Sequence, residues 1–117
     1  MPEYKLGEIE LKFAELIWSH EPIASGRLAE LCFQELNWKR STTYTVLKRL
    51  CEKGIFRNQK GVVTSIVSKQ HFWAKQSEDF VDEAFAGSLP DFVAAFISRK
   101  KLSQEEIERL KRIIDES

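Results

Sequence analysis

The N-terminal part of the chain contains three stretches in which apolar residues recur at helical spacing. In residues 6–20 they fall on two faces, which predicts a first helix that is buried on two sides. Pro22 follows, and proline cannot continue the hydrogen-bond ladder of a helix. A second helix is predicted over residues 25–36, with Ser25 suited to its cap and a short connector at 37–39.

A third helix is predicted from position 40 or 41 to position 53, with Val46, Leu47 and Leu50 as its inward row. Gly54 comes next, where a helix needs a left-handed C-terminal cap. Two short β-type runs follow, at 55–57 and 62–67, and the residues between them have turn chemistry. We therefore expect a β-hairpin after the third helix.

From about residue 69 to the end the pattern is helical again. Aromatic and aliphatic side chains form one stripe before Pro90 and a second stripe after it. Ser103 and Glu106 have the spacing of a capping box, which opens a last amphipathic helix. The stripes contain Phe80, Ala84 and Phe85, then Phe92, Phe96 and Ile97, and in the last helix Ile107, Leu110, Ile113 and Ile114.

The composition limits the class of protein. The 117 residues are 43% hydrophobic and 31% charged, which fits one compact domain or a small domain with an appendage and excludes a disordered tail. No apolar run is long enough to span a membrane, and the N-terminus does not read as a secretory signal peptide. We therefore expect a cytoplasmic protein with no membrane partner, in which Cys32 is a packed, reduced thiol and Cys51 lies at a helix edge.

The net charge is zero, but the charges are unevenly distributed. Residues 39–60 carry seven basic side chains against Glu52 alone, a local charge of +6, whereas residues 69–117 carry two more acidic than basic side chains. Positive charge is thus concentrated in the third helix and the hairpin.

Three helices followed by a basic hairpin are typical of a winged helix-turn-helix. A helix in the major groove needs short hydrogen-bonding side chains for base edges and flanking cations for phosphates. The alternative for these charges is a solvated face without a ligand. The predicted DNA-binding residues are Arg40, Ser41, Thr42, Tyr44, Thr45, Lys48 and Arg49 on the helix, and Arg57 and Lys60 on the wing.

The C-terminal segment carries more apolar surface than so short a chain can cover by itself. A second copy could cover it, and two recognition helices would then read a dyad-symmetric site. The alternatives are packing against the N-terminal domain or a ligand pocket lined by the aromatic rings. The residues predicted to form the dimer interface are Phe80, Phe85, Phe92, Phe96, Ile107, Leu110 and Ile114.

The sequence contains no pattern that indicates catalysis. His20 and His71 are isolated, and there is no Gly-rich phosphate loop, nucleophile triad, or zinc-type motif. The carboxylates at positions 78, 79, 82 and 83 fit a solvated acidic face better than an acid–base pair. We therefore expect neither an enzyme nor a protein that needs a metal or cofactor.

Three segments together resemble a known family: residues 6–10 (LGEIE), 16–18 (LIW) and 37–54 (NWKRSTTYTVLKRLCEKG). The chain is similar over nearly its whole length to the penicillinase-repressor family of bacterial regulators, the BlaI/MecI/CopY type. The resemblance implies a homodimeric transcriptional repressor that binds a palindromic operator and is released by an inducing signal. It also implies that Ser41, Thr42, Tyr44, Thr45 and Arg49 match recognition-helix positions that touch DNA.

The chain departs from the family at several positions. Lys39 and Arg40 stand where many members have Ser-Pro, and the wing reads Gly61-Val62-Val63-Thr64 instead of Gly-Arg-x-Tyr/Phe. The Asn-Phe bond that is cleaved in β-lactam-responsive members is matched by Ala95-Phe96, and the C-terminal cysteine motif of copper-responsive members is absent. The operator, the target genes and the inducer, whether protease, ligand or another route, are not defined by the sequence.

Two readings of the whole chain follow. The preferred one is a mostly α protein in which residues 1–68 form a winged helix-turn-helix DNA-binding domain and residues 69–117 a helical dimerisation domain. The alternative is a winged-helix protein-interaction module that does not bind DNA. The concentration of positive charge in residues 39–60 favours the first, because a protein-docking helix more often presents apolar or mixed charge.

Overall fold

A computed structural model of the protein describes residues 5–117. The chain divides into two compact units between Gln76 and Ser77. In chain order the elements are α1 (Glu8–His20), β1 (Ile23–Ala24), α2 (Ser25–Leu36), α3 (Arg40–Glu52), β2 (Phe56–Gln59), β3 (Val62–Ser65), α4 (Lys69–Phe85), α5 (Leu89–Arg99) and α6 (Gln104–Glu116).

The three helices of the first unit occupy the predicted stretches. Helix α1 begins two residues later than its apolar pattern, where the Gly7 N–H donates to Oε1 of Glu10 at 3.1 Å. Helix α2 ends at Leu36, and the C-cap residue Asn37 has a left-handed φ of 57°. Gly54 follows α3 with a φ of 82°, so the predicted left-handed cap is confirmed.

The core of the first unit lies between these helices and the sheet. Phe13, Ile17, Leu28 and Leu50 are fully buried in it, as the helical patterns predict. Trp18 packs against two more rings, with centroids 5.6 Å from Phe56 and 5.4 Å from Phe72, and its Nε1 donates to the Val67 carbonyl at 3.0 Å. This aromatic cluster joins α1 to the wing strand β2 and to the start of α4. Cys32 is buried in the same core, and both cysteines are free thiols.

The wing is a three-stranded antiparallel sheet in the order β1-β3-β2. The predicted hairpin is confirmed, but β2 extends to Gln59, and the turn consists of Lys60 and Gly61 alone. Both turn residues have positive φ, 54° and 80°, as in a type I′ hairpin turn. Strand β1 was not predicted, because two residues are too few to show an alternating pattern.

The turn geometry predicts a specific stability effect. We expect Gly61→Ala to lower the free energy of unfolding by about 1 kcal/mol, because a side chain at this left-handed φ is strained even though the nearest atom lies 4.0 Å from the added Cβ. Urea unfolding of both proteins measures the difference. Gly26→Ala is the matched control, since Gly26 lies inside α2 without a positive φ, and its added Cβ would meet the flexible end of the Arg40 side chain at 3.3 Å. Equal losses in the two variants would contradict the turn assignment.

The second unit contains the end of α4, helix α5 and helix α6. Ser88 caps α5 by accepting from the Asp91 N–H at 3.1 Å. The predicted capping box of α6 is confirmed, because Ser103 and Glu106 exchange hydrogen bonds of 3.0 and 3.1 Å. Neither α5 nor α6 contains a buried residue in the single chain. The fold is thus mostly α, a winged helix-turn-helix followed by C-terminal helices, as predicted.

Candidate nucleic-acid interface

Helix α3 separates its side chains cleanly into two sets. Thr43, Val46, Leu47 and Leu50 point into the core and are at most 8% exposed. The remaining positions between 40 and 49 face outwards, as the helical period requires. All nine predicted DNA-binding side chains are exposed: Arg40, Ser41, Thr42, Tyr44, Thr45, Lys48 and Arg49 on α3, and Arg57 and Lys60 on the wing.

The first turn of α3 has a small polar cluster. Nη2 of Arg40 donates to the Tyr44 hydroxyl at 3.5 Å, and the guanidinium carbon lies 5.7 Å from the centre of the Tyr44 ring. The Tyr44 hydroxyl in turn donates to Oγ of Ser25 at 3.5 Å. The hydrogen bond to Ser25, and then the Arg40 charge, lower the pKa of Tyr44. The cluster orders the side chains at the N-terminal end of the exposed face.

Ser25 also connects this cluster to the wing. Its backbone N–H donates to the Gly61 carbonyl at 2.8 Å, so the start of α2 lies beside the hairpin turn. Lys60 stands next to Gly61 in that turn, and Arg57 lies on β2 opposite Thr64. The sequence predicted Ser25 as the cap of α2, but the cap residue is Ala24 and Ser25 is the first residue of the helix. The structure places Ser25 between the first turn of α3 and the tip of the wing.

The hydroxyl group of Thr45 already donates one hydrogen bond within α3. Oγ1 of Thr45 donates to the Ser41 carbonyl one turn earlier, at 2.9 Å. The oxygen lone pairs and the methyl group stay available on the exposed face. Thr45 can therefore accept a hydrogen bond from a base or contact a thymine methyl group, but its proton is already used.

Arg49 is paired with a residue of α1. Its Nη1 lies 3.3 Å from Oε2 of Glu10, and Nζ of Lys53 lies 3.7 Å from the other carboxylate oxygen. Desolvation by itself raises the pKa of Glu10, but the Gly7 N–H, then Lys53 and Arg49, outweigh it and lower the pKa. Sequence reasoning missed this contact, because Glu10 is 39 positions from Arg49 and its pattern marks only the first turn of a helix.

The other cations of the basic segment are not neutralised. In the part of the chain that the structure describes, Lys39, Arg40, Lys48, Arg57 and Lys60 form no ion pair. Lys48 and Arg40 lie on α3, and Arg57 and Lys60 lie on the wing. Five positive charges thus face solvent from α3, its N-terminal flank and the wing. Such a surface attracts polyanions.

The structure contains no arrangement that suggests other chemistry in residues 5–117. No group of three or more His, Cys, Asp or Glu side chains is placed to hold a metal ion there. Burial raises the pKa of the Cys32 and Cys51 thiols, so neither is a ready thiolate at neutral pH. None of the described helices is both long enough and apolar enough to cross a bilayer.

A second candidate surface lies in the C-terminal unit. Phe92 contacts Phe80, Phe85 and Phe96, with ring centroids 5.5 to 6.3 Å apart. Between α5 and α6 lies an open, apolar groove of about 440 Å³. The predicted interface residues are all at least partly exposed: Phe80, Phe96, Leu110 and Ile114 are 40–67% exposed, and Phe85, Phe92 and Ile107 are half-buried.

The sequence is similar to those of known proteins over nearly its whole length. The chain is 26% identical to the methicillin resistance regulatory protein MecI of Staphylococcus aureus, over 96% of this chain and 94% of that protein. It is 27% identical to the penicillinase repressor of Bacillus licheniformis, over 96% of this chain and 91% of that protein. The profile of the penicillinase repressor family matches residues 6–116. The protein therefore belongs to the penicillinase repressor family, whose members are transcriptional repressors and not enzymes.

Proposed function

We propose that this repressor is a homodimer that binds a dyad-symmetric DNA operator through α3 and the wing, in the cytoplasm. The observation that supports this most is the outward face of α3, where all seven side chains predicted to bind DNA from this helix are exposed. The helix has no acidic side chain in its first turn, and basic residues flank it. A face of this kind suits the major groove, where short polar side chains meet base edges.

The nine predicted DNA-binding residues have two different roles in this proposal. Ser41, Thr42, Tyr44 and Thr45 offer hydroxyl groups and methyl groups to base edges. Arg40, Lys48 and Arg49, with Arg57 and Lys60 on the wing, offer positive charge to the phosphates on either side. The contact between Ser25 and the Tyr44 hydroxyl favours one orientation of the tyrosine before DNA arrives. Pre-ordered side chains lose less conformational entropy on binding.

We propose that a second copy covers the apolar surface of the C-terminal unit. Single chains rarely expose this much contiguous apolar surface, and a two-fold interface would bury the same patch on both copies. The predicted dimer residues Phe80, Phe85, Phe92, Phe96, Ile107, Leu110 and Ile114 all contribute to it. Two linked recognition helices then bind two half-sites, and the second half-site is bound at high effective concentration.

Repression follows from occupancy, because a bound dimer excludes polymerase from the same DNA. Release needs an inducing signal. The bond that matches the family's cleavage site, Ala95-Phe96, lies inside α5, where the backbone is helical and hydrogen-bonded. A protease would have to unwind α5 before it reached this bond.

The salt dependence of DNA binding tests the proposal. We expect the protein to bind duplex DNA with an affinity that falls steeply with salt, and Lys48→Gln to reduce the slope by about 0.9, the value for one lost phosphate contact. Lys12→Gln is the matched control, because Lys12 is exposed on α1, two residues beyond Glu10 and therefore on the opposite side of that helix. Fluorescence anisotropy with a labelled duplex measures both slopes.

Two results would contradict the proposal. If the protein does not bind DNA at low salt, the winged helix is a protein-interaction module instead. If Lys12→Gln and Lys48→Gln reduce the slope equally, DNA is not held by the outward face of α3.

A further inference from the structure

One carboxylate from α1 holds two of the seven cations of the basic segment. Glu10 lies 3.3 Å from Arg49 and 3.7 Å from Lys53, and its side chain is only 17% exposed. Nζ of Lys53 also donates to the Lys5 carbonyl at 3.0 Å. Within residues 5–117 these are the ion pairs of the basic segment, so the other five cations are free of such pairing.

The position of Arg49 makes its pairing relevant to DNA. Thr42, Thr45 and Arg49 are spaced by three and four residues, so they form one stripe along the exposed face of α3. The Arg49 side chain is 52% exposed, so DNA can reach the guanidinium without any change in the fold. A phosphate must compete with Glu10 for it, because the carboxylate already occupies part of its hydrogen-bonding edge.

Whether DNA displaces Glu10 from Arg49 depends on how closely the DNA fits the surface of α3. Glu10 is fixed by the Gly7 N–H at 3.1 Å, and the bonds that hold it lower its pKa, so it stays ionised at neutral pH. Loosely docked DNA offers phosphates at many positions and gains little by replacing such a fixed partner. When α3 lies fully in the major groove, the DNA presents a phosphate or a base edge to Arg49 at a fixed position. Arg49 can then exchange Glu10 for this DNA group.

From this geometry we propose that Glu10 is a specificity-determining residue that restrains Arg49 from random DNA without itself touching DNA. The inference rests on the proposed function, since it concerns the same α3 surface. The inference gives Glu10, a side chain of α1, a role in distinguishing operator DNA from random DNA. It also implies that Arg49 contributes more to operator binding than to the general attraction for phosphates.

The test compares variants on a random-sequence duplex, so the operator need not be known. We expect Glu10→Gln to steepen the slope of log affinity against log salt by about 0.9, because the released Arg49 gains one phosphate contact. Lys53, the other partner of Glu10, keeps its hydrogen bond to the Lys5 carbonyl and adds no phosphate contact. The double variant Glu10→Gln/Arg49→Gln should return to the wild-type slope. Glu8→Gln is the matched control, since it removes the same charge from the same helical turn and Glu8 forms no ion pair in the described chain.

The substitution is designed to keep the fold. Glutamine at position 10 can still accept from the Gly7 N–H, so the start of α1 keeps its cap. Thermal unfolding by circular dichroism checks this. Arg49→Gln in the otherwise unchanged protein is a second test that does not need Glu10→Gln to fold: it should reduce the random-DNA slope by less than Lys48→Gln does, because Glu10 already restrains Arg49 and Lys48 has no ion-pair partner in residues 5–117.

The outcomes separate the inference from the proposed function. A wild-type protein that does not bind random DNA at low salt contradicts the proposed function. A wild-type protein that binds, with a Glu10→Gln slope equal to or shallower than its own, overturns the inference alone. A slope that Arg49→Gln reduces as much as Lys48→Gln does also overturns it, because Arg49 would then contact random DNA as freely as an unpaired cation.

Discussion

Phe96→Glu is expected to convert the protein to monomers at micromolar concentration and to abolish tight operator binding. Phe96 is 49% exposed on α5 and contacts the Phe92 ring at 6.3 Å. An unpaired carboxylate buried in an interface costs several kcal/mol, and a two-fold interface carries the substitution twice. The dimer dissociation constant should therefore rise roughly a thousandfold or more. Sedimentation velocity measures the change.

Two further variants complete this experiment. Phe33→Glu introduces the same charge at a phenylalanine that is 64% exposed on α2 in the first unit, and it should leave the dimer intact. Leu110→Glu places the charge on α6 and should dissociate the dimer as Phe96→Glu does. A folded Phe96→Glu protein that sediments as the wild type does would move the interface away from α5. Equal dissociation by Phe33→Glu would place it in the first unit.

Thr45→Ala is expected to weaken operator binding by about tenfold and to leave binding to random DNA unchanged. A good contact to a base edge contributes roughly 1–3 kcal/mol to discrimination, whereas a neutral side chain adds nothing to the general attraction for phosphates. Alanine favours a helix more than threonine does, so α3 is not weakened. Competition binding with the operator and a random duplex gives both affinities.

Two more substitutions at this position distinguish the atoms involved. Thr45→Val keeps a methyl group and removes the oxygen, and Thr45→Ser does the reverse. The Thr45 proton is already donated to the Ser41 carbonyl, so only acceptance by the oxygen or contact of the methyl group can be lost. If all three variants bind the operator as the wild type does, the base contacts lie elsewhere on α3.

The sequence pattern predicted the helices well because their apolar rows point into one core. The inward residues of α3 and the Gly54 cap follow from helical period and backbone geometry, and both were found as expected. The strand boundaries of the wing were harder to predict from the sequence. Asn58 and Gln59 have turn chemistry but continue the ladder opposite Val63 and Val62, because β2 lies at the edge of the sheet, where polar residues are tolerated.

At the candidate site, too, features that depend on neighbouring positions were predictable, whereas contacts between distant positions were not. Exposure of the α3 residues was predictable, since it depends only on which positions the core occupies. The partners of those residues were not, because Glu10 and Ser25 approach from other helices over separations of 39 and 19 positions. A single sequence contains no period or motif that links such pairs. Only the folded chain brings them together.

These contacts suggest how one small domain separates specific from general binding. In the proposed complex, five cations without ion pairs in residues 5–117 provide the attraction for the phosphate backbone, and a short row of hydroxyl and methyl groups contacts the base edges. The ion pair between Glu10 and Arg49 reduces the positive charge that is available for the general attraction to phosphates. The proposed dimer would multiply the discrimination, since each of its two copies would read one half of a dyad-symmetric site.

The most direct test of the central claim is to recover genomic DNA fragments that the purified protein binds at about physiological salt, where non-specific binding is weak, and to sequence them. We expect enrichment of a short dyad-symmetric sequence upstream of a small number of genes. Recovery of random fragments, or of none, would contradict operator binding and would favour a winged-helix module whose partner is another protein.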